Sequence, residues 1–560
     1  MVARALMKPA EWLDRKFGWQ RLPYPLGLAT LIGLRERLRE QNLYSTGVPG
    51  VDGPIPPGAR AERRRDGSFN DLQVPGMGVT GSPFGRNFPS LPDPDPLAAP
   101  HPREVSDALM RRDRFLPASH LSVLAAAWLQ FEVHDWMSHA KEPPVGDWLL
   151  GADMPLPKVV PAGTDPEAFV CRESHWWDAS QLYGTHQEYI DAIAREHGEI
   201  AVDDDLLRAL EQAAATFNAP EASLWVGLGS LLVLFAHEHN AIARHLRAAY
   251  PGRDARWLYA KARLINSALM AKIHTVEWTP AVIGHPTTVR AIKATWWGLL
   301  GRGRRRTRSD ILTGIPGSRT NHHGVPYSLT EEFVTVYRMH PLLPDEFTFG
   351  EHTWSLPDLA VQPGDIDRPR ERIAEAGGNA AALRALGIQP PGQIELFNYP
   401  NAMRRWERIG DLPPIDLAAA DILRSRETGV PRYAAFRQAL RLKVPESFAE
   451  ITGGNPHTAE PIRELYAGDL NAVDAVVGLY AEPKTRGFAF SETAFRIFLL
   501  MAARRLQSDR FFTDDYTPET YTPEGLRWIE ETTMGDVLRR HYPELAPPEN
   551  PFLRWPTAAT

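Results

Sequence analysis

Apolar residues recur at helical spacing over most of the chain after Val105. The stretches "LSVLAAAWLQFEVHDWMSHA", "SLWVGLGSLLVLFAHEHNAIARHLRAAY", "ARWLYAKARLINSALMAKIHTVEW" and "SETAFRIFLLMAARRLQ" are rich in Ala and Leu. Strictly alternating apolar and polar runs, which are typical of half-buried strands, are scarce. The pattern therefore predicts a mainly α-helical protein whose helices are joined by Pro-rich loops.

Two different segments precede this helical region. Residues 1–43 contain an apolar run from Leu22 that lasts only about a dozen residues, too few to span a bilayer. The run continues into Arg35, Arg37 and Arg39, so it predicts either a helix lying on an anionic membrane surface or an amphipathic helix docked on the core. Residues 44–101 are dense in Pro and Gly, which predicts an irregular arm. Residues 102–560 are expected to form one large, mainly helical domain.

Composition narrows the class of protein. The chain has 560 residues, 43% hydrophobic and 23% charged, as expected for a globular protein that is neither disordered nor membrane-spanning. Its formal net charge of −7 gives no general attraction to nucleic acid. Cys171 is the single cysteine, which excludes an internal disulfide and a cysteine-rich metal site. With no apolar signal region at the start, a cytoplasmic location is expected.

Two short stretches carry candidate chemistry on helical patterns. In "TVYRMHPLLPDEF", Tyr337 precedes His340 by three residues and shares a helix face with it. This pair is either buried packing or a metal-ligating imidazole with an oxidisable phenol nearby. In "QFEVHDW", Gln130 and His134 share a face, whereas Asp135 is turned about 100° away. Gln130 and His134 are either a buried polar pair or polar groups above a metal that they do not ligate.

The segment "SHWWDAS" offers oxygen atoms at alternate positions. Ser174, the carbonyl of Trp176, Asp178 and Ser180 would project to one side of an extended loop. Asp135 could add a further carboxylate from the back of the preceding helix. Hard cations such as Ca²⁺ prefer such oxygen ligands, although the run lacks the EF-hand pattern. Alone, it is a weak indication of a calcium site.

Taken together, these pieces resemble the animal-type haem peroxidase superfamily, which includes the cyclooxygenases. The order "QFxxHD", "WWDASQLYG", "FAHEHNAIA" and "YRMHPLLP" carries this resemblance, which extends from about Pro83 to Trp555. Within the superfamily, the chain resembles the fatty-acid α-dioxygenases known from plants, through "NHHGVPYSLTEEFVTVYRMHPLLPD", "AKIHTVEWT", "SDRFFTDDYTPETYTPEGLRW" and "VLRRHYPEL". The resemblance implies a mainly α, cyclooxygenase-like helical fold.

The resemblance also implies roles for individual residues. His340 is expected to be the proximal ligand of a b-type haem, with His134 as the distal histidine and Gln130 beside it. Tyr337 is expected to become the catalytic radical. A calcium site is expected at Asp135, Ser174, Trp176 (through its carbonyl), Asp178 and Ser180.

A fatty-acid α-dioxygenase also has to hold its substrate by the carboxylate. The positions that match the family's carboxylate site are His274, Thr279 and Arg510. Peroxidases of the superfamily attach their haem covalently, partly through an Asp just before the distal histidine, and Val133 occupies that position here. They also use an Arg to cleave peroxide, but this chain has no Arg between Arg208 and Arg244. We therefore expect non-covalently bound haem and little halide or phenol peroxidation.

The resulting hypothesis is a haem-dependent dioxygenase. A tyrosyl radical abstracts a hydrogen from Cα of a long-chain fatty acid, and O2 adds to give a 2-hydroperoxy acid that can decarboxylate to an aldehyde one carbon shorter. Its partners would be the fatty acid, O2 and an activating peroxide, with peripheral membrane contact left open. The alternatives are a mid-chain oxygenase of cyclooxygenase or diol-synthase type, a haem peroxidase, and an inactive haem-binding membrane-associated protein.

Overall fold

The computed structural model describes residues 6–141, 148–151, 154–217, 224–303, 308–408 and 413–557. Over these ranges the secondary structure is mainly helical, which confirms the predicted class. The helices up to the middle of the chain are α1 (Met7–Phe17), α2 (Tyr24–Gln41), α3 (Pro102–Val105), α4 (Val123–Trp136), α5 (Ser180–Tyr183), α6 (Gln187–Ile193), α7 (Asp203–Phe217), α8 (Val226–Ala249), α9 (Ala255–Ile273), α10 (Thr279–Val282), α11 (Pro286–Trp297) and α12 (Glu331–Val336). Those that follow are α13 (Arg368–Glu375), α14 (Asn379–Ile388), α15 (Leu417–Glu427), α16 (Tyr433–Ala439), α17 (Phe448–Ile451), α18 (Pro456–Leu465), α19 (Ala475–Ala481), α20 (Glu492–Ser508), α21 (Pro518–Tyr521), α22 (Pro523–Glu531) and α23 (Met534–His541).

Short elements connect these helices. The 3₁₀ turns are Trp19–Arg21, Glu196–Gly198, His340–Leu342, Pro357–Leu359, Asn401–Arg405 and Leu470–Ala472, and the π-helical turns are Ser106–Met110 and His274–Trp278. Two small antiparallel hairpins pair β1 (Trp148–Leu149) with β2 (Pro155–Leu156) and β3 (Glu346–Phe349) with β4 (His352–Ser355).

The N-terminal helices dock on the rest of the fold. The face of α2 that carries Leu31, Leu34 and Leu38 is buried, and the helix packs against α1, α11 and α20. A Cβ at Gly33 would lie 2.6 Å from the Cβ of Ala10, so the close crossing of α1 over α2 depends on this glycine. Of the two predicted alternatives, the structure therefore has the amphipathic helix docked on the core. No helix in the described ranges is long and apolar enough to cross a membrane.

Three long helices form the centre of the fold. The helix α8 packs against α4 on one side and α9 on the other, and nearly all side chains of its first three turns are buried. Asp254 caps α9 by accepting a hydrogen bond from the amide of Trp257 at 2.8 Å. The shorter α12 packs on α20, whose N-terminus is capped by Ser491. Residues on α4 and α20, at the end of α12 and in the segment that follows it, and on the π-helical turn after α9 form the candidate site.

The segment from Tyr337 to His340 is not one continuous helix, which corrects the helical interpretation of "TVYRMH". Helix α12 ends at Val336, Tyr337 has φ −87° and ψ 0°, and His340 begins a separate 3₁₀ turn. Pro341 explains this break, because a proline disfavours the α conformation of the residue before it and has no N–H to donate. The relative position of the two rings is therefore set by tertiary contacts rather than by helical spacing.

Candidate functional site

The side chain of His340 is oriented by a buried carboxylate. Its Nδ1 lies 2.8 Å from Oδ2 of Asp421, and the same oxygen accepts a hydrogen bond from the hydroxyl of Tyr399 at 3.1 Å. Oδ1 of Asp421 accepts from Arg338 at 2.6 Å. Burial raises the pKa of Asp421, but His340 and Arg338 outweigh burial and hold it below its ordinary value. The carboxylate thus stays ionised. Nε2 of His340 has no hydrogen-bond partner among the described residues, so it is available as a ligand to iron.

Helix α4 presents Gln130 and His134 on one face, as its spacing predicts. The indole of Trp225 donates to Oε1 of Gln130 at 2.5 Å. Burial lowers the pKa of His134 to about 4, so its ring is neutral near pH 7 and can accept a proton. A cavity of about 350 Å³ opens beside His134 and is lined further by residues between Val170 and His186 and by Leu228 and Leu232 of α8. It has room for a small oxygen species next to the His134 ring.

A second cavity contains the tyrosine and is called the Tyr337 cavity below. Its lining residues are Trp136, Trp177, His274, Thr275, Thr279, Ile292, Thr295, Phe333, Tyr337, Phe498, Ala502, Ala503, Arg505 and Leu506. Burial raises the pKa of Tyr337, so the phenol keeps its proton at neutral pH. This cavity shares Ile292, Thr295 and Phe498 with an apolar groove that continues towards Leu28 and Leu31 of α2.

Arg505 is the one arginine among the residues that line the Tyr337 cavity. Its guanidinium carbon lies 3.7 Å from the ring centre of Trp136 and 4.4 Å from that of Trp177, and Nε donates to the hydroxyl of Tyr327 at 3.2 Å. Both Nη atoms are buried without a hydrogen-bond partner in the described part of the chain. Buried polar groups are normally paired, so these two parallel donors indicate a ligand with two acceptor oxygens.

Arg510 lies elsewhere, which corrects its assignment to the carboxylate site. Its guanidinium donates to the backbone carbonyls of Asn70 and Arg60, each at 2.9 Å, and also to that of Ala59, and it forms an ion pair with Asp515. These acceptors hold the Pro/Gly-rich arm on the body. Because the guanidinium is fully engaged there, Arg510 has no donor left for a substrate.

His274 and Thr279 both line the Tyr337 cavity, at the two ends of the π-helical turn that follows α9. Nδ1 of His274 accepts a hydrogen bond from the indole of Trp128 at 3.3 Å. The imidazole stacks on Trp278, with the two ring centres 4.5 Å apart. Burial holds the pKa of His274 well below its ordinary value. The neutral ring therefore carries its proton on Nε2. Single π-helical turns often occur at functional sites, because they shift the side chains that follow.

The predicted calcium loop lies against the back of α4. Oδ1 of Asp135 accepts from the amide and hydroxyl of Ser180 at 2.6 and 2.8 Å, and Oδ2 of Asp178 accepts from the hydroxyl of Ser174 at 2.7 Å. The carboxylates of Asp135 and Asp178 are both buried. Burial, and next to it the charge of Asp178, raise the pKa of Asp135 well above its ordinary value. Two adjacent buried carboxylates with oxygen neighbours fit a hard cation.

Comparison with known proteins identifies the family. The family model of the animal haem peroxidases matches residues 62–148 and 153–552. Alpha-dioxygenase PIOX of Oryza sativa subsp. japonica is 35% identical over 570 residues, which cover 95% of this chain and 91% of that protein. Alpha-dioxygenase 1 of Arabidopsis thaliana is 34% identical over 591 residues, which cover 97% of this chain and 91% of that protein.

Solved structures agree with this result. Fatty acid alpha-dioxygenase of Arabidopsis thaliana matches with a TM-score of 0.89 at 31% identity, covering 100% of this chain and 93% of that chain. A Tyr-to-Phe variant of Oryza sativa fatty acid alpha-dioxygenase with palmitic acid matches with a TM-score of 0.89 at 30% identity, covering 100% and 97%. The chain belongs to the alpha-dioxygenase family. The predicted family and the cyclooxygenase-like fold are thereby confirmed.

Two site residues of this alpha-dioxygenase family member were missed by sequence reasoning. Arg505 could have been found, because it follows Phe498 and Ala502 at helical spacing and so places a charge on the apolar face of α20. Asp421 had no such signal. It lies 81 residues after His340 on a different helix, α15, and only the fold brings the two together.

Proposed function

We propose that this chain oxygenates the α-carbon of a fatty acid and that Tyr337 carries the radical. One observation supports this proposal above all others: Arg505, whose two Nη atoms have no hydrogen-bond partner among the described residues, and the phenol of Tyr337 line the same cavity. A carboxylate bound by Arg505 places the carbon next to it, rather than a mid-chain carbon, within the reach of Tyr337. The geometry therefore disfavours a mid-chain oxygenase.

Haem b fits the residues that the fold brings together. His340 would hold its iron through Nε2 with Asp421 fixing the ring, and His134 and Gln130 would supply polar groups near the haem without ligating the iron. Haem, once activated by a peroxide, supplies the one-electron oxidising capacity that tyrosine oxidation needs. The non-covalent attachment expected from Val133 is consistent with this arrangement.

Arg505, His274 and Thr279 form the proposed carboxylate site. The two free Nη donors of Arg505 match the two oxygens of a carboxylate, and the indoles of Trp136 and Trp177 hold the guanidinium plane in place. His274 adds its Nε2 proton and Thr279 a hydroxyl. The acyl chain would leave through the apolar groove towards α2, which suits a long hydrocarbon chain and excludes water from it.

The reaction follows from these positions. The phenoxyl oxygen of Tyr337 takes a hydrogen atom from Cα, which restores the phenol and leaves a carbon radical. O2 adds to this carbon, and the peroxyl radical recovers a hydrogen atom from Tyr337 to give the 2-hydroperoxy acid. Loss of CO2 and water from that acid gives an aldehyde one carbon shorter. Enclosure of the fatty acid in a buried cavity protects the radical from side reactions.

Ca²⁺ is proposed at the loop behind α4, held by the side chains of Asp135, Ser174, Asp178 and Ser180 and the carbonyl of Trp176. The cation would neutralise two buried carboxylates and brace the helix that carries His134. Its role is therefore structural, since it supplies no redox chemistry.

Substitution of Tyr337 tests the function directly. We expect Tyr337→Phe to bind haem with an unchanged Soret band and to lose O2 uptake with palmitate completely, because phenylalanine has no O–H to oxidise. Products from the unaltered protein should be the 2-hydroperoxy acid or the aldehyde one carbon shorter than the substrate by mass spectrometry. Residual uptake in the variant contradicts the radical role of Tyr337, and products oxygenated at a carbon other than Cα contradict attack at Cα.

A further inference from the structure

A buried amide without a partner lies in the wall of the cavity beside His134. Gln181 on α5 is 8% exposed, and neither its Oε1 nor its Nε2 has a hydrogen-bond partner among the described residues. Gln181 and His134 both line this cavity of about 350 Å³. A buried side-chain amide is normally hydrogen-bonded, so an unpaired one that lines a cavity indicates a polar ligand there. Gln181 has no role in the reaction proposed above.

The position of Gln181 relative to His134 is fixed by the residues next to them. Ser180, directly before Gln181, donates its amide and hydroxyl hydrogens to Oδ1 of Asp135, at 2.6 and 2.8 Å. Asp135 in turn directly follows His134 on α4. Ala179 begins this turn with φ 60°, a left-handed conformation that a residue with a Cβ adopts only where its surroundings hold it. The same contacts that hold the turn therefore hold Gln181 at the cavity.

Other polar groups near His134 are satisfied in other ways. Oε1 of Gln130 accepts from the indole of Trp225 at 2.5 Å, and Gln130 is not among the described residues that line the cavity. Arg172 does line it, but this residue is only half-buried, so water can hydrate its guanidinium. Of the described lining residues, only Gln181 has buried polar atoms without a partner. It is therefore the residue for which a ligand is expected.

The cavity beside His134 opens to solvent away from the path proposed for the fatty acid. Thr80, Thr185 and His186 line it and are exposed. None of its described lining residues also lines the Tyr337 cavity or the apolar groove towards α2. A small polar molecule can therefore reach His134 and Gln181 without passing the acyl chain.

We propose that Gln181 binds and orients the activating peroxide beside His134. This inference rests on the proposed haem site, but it does not depend on the role of Tyr337. A hydroperoxide has an O–H to donate and oxygens that accept, so it can satisfy both the carbonyl and the N–H₂ of the amide. An acyl chain offers neither group. Gln181 is thus a positioning residue for the oxidant, whereas Arg505 positions the fatty acid in a separate cavity.

The test uses the haem-loaded protein. Carbon monoxide on the reduced haem is the first probe, because a hydrogen bond to its oxygen lowers the C–O stretching frequency in the infrared spectrum. In Gln181→Met, whose side chain has a similar length and no donor, we expect a higher C–O frequency than in the unaltered protein. The hydrogen peroxide concentration that half-activates O2 uptake should rise about tenfold, while KM for palmitate stays unchanged.

Gln41→Met is the matched control, because Oε1 of Gln41 is also buried and unpaired among the described residues and Gln41 does not line this cavity. It should change neither measurement. An unchanged C–O frequency and peroxide requirement in Gln181→Met overturn the role of Gln181 alone, and the same changes in Arg172→Met instead assign the donor to Arg172. Absence of a Soret band in the unaltered protein overturns the proposed haem site as well. If Gln181→Met fails to bind haem, the smaller Gln181→Ala decides by the same two measurements.

Discussion

Two arginines five residues apart near the end of α20 have opposite surroundings. Arg505 lies within the helix, with its guanidinium against the rings of Trp136 and Trp177 and with both Nη atoms unpaired among the described residues. Arg510 lies just beyond the helix and is engaged by backbone carbonyls of the N-terminal arm and by Asp515. Both are buried, so burial does not separate their roles. The difference lies in whether the fold itself satisfies the donors: where it does, the residue holds structure, and where it does not, a ligand is expected.

The largest effect is expected for Arg505. Arg505→Gln should keep the fold and the Soret band but lower kcat/KM for palmitate by about 30-fold to several thousand-fold, corresponding to the roughly 2–5 kcal/mol lost when a buried charge pair is broken. Steady-state O2 uptake measures this. If the activity stays within a few-fold of that of the unaltered protein, a residue other than Arg505 binds the carboxylate.

Arg510 should show the opposite result. Arg510→Gln removes hydrogen bonds to the arm at Asn70 and Arg60, so we expect the free energy of unfolding to fall by about 3 kcal/mol. At temperatures where the variant is folded, its KM for palmitate should be unchanged. Thermal unfolding followed by circular dichroism, together with kinetics at low temperature, tests both parts. A large rise in KM with normal stability would contradict the comparison of the two arginines.

The same comparison applies to the negatively charged side chains of the proposed calcium loop. Asp135 and Asp178 are buried carboxylates for which we propose a cation, just as we propose a carboxylate ligand for Arg505. A Ca²⁺ concentration of 100 times the dissociation constant should stabilise the protein by about 2.7 kcal/mol, because the ion binds only the folded state. Addition of a chelator should lower the melting temperature, and Asp178→Asn should abolish that response. An identical melting temperature with and without chelator argues against a bound cation.

The smallest effect on stability is expected for His239. Like the guanidinium of Arg510, its ring is fully paired within the fold. Its Nδ1 lies 2.9 Å from the hydroxyl of Tyr183 and its Nε2 lies 2.9 Å from the carbonyl of Gly198. Burial lowers its pKa from 6.5 to about 4. The unfolded chain therefore takes up a proton first as the pH falls, and stability decreases between about pH 6.5 and pH 4.

At pH 5.5 the loss attributable to His239 should be about 1.4 kcal/mol relative to pH 8. Denaturant unfolding at several pH values measures it. The pH dependence should be weaker in His239→Gln, which has no titrating ring. A variant with the same pH dependence as the unaltered protein would assign that dependence to other groups.

Sequence reasoning was most successful where the information is local. The spacing of Gln130, His134 and Asp135 on α4 placed two polar groups on one face and the carboxylate on the other, and the structure has that arrangement. It was less successful at helix ends. The Tyr337–His340 segment was expected to be one helix, but Pro341 ends regular structure before His340. The motif around Arg510 did not show that its guanidinium is already paired within the fold, because a motif carries no information on which donors are satisfied.

The sequence by itself determined the helical class, the family and the residues at helical spacing, since periodicity and motif order are properties of neighbouring positions. Only the tertiary structure decided the partners: Asp421 for His340, the indoles for Arg505, and, among the described residues, the lack of a hydrogen-bond acceptor for the Nη atoms of Arg505. The physical reason is that a hydrogen bond or a cavity depends on distances between segments far apart in the chain. A buried donor or acceptor left unsatisfied becomes visible only when all those segments are in place.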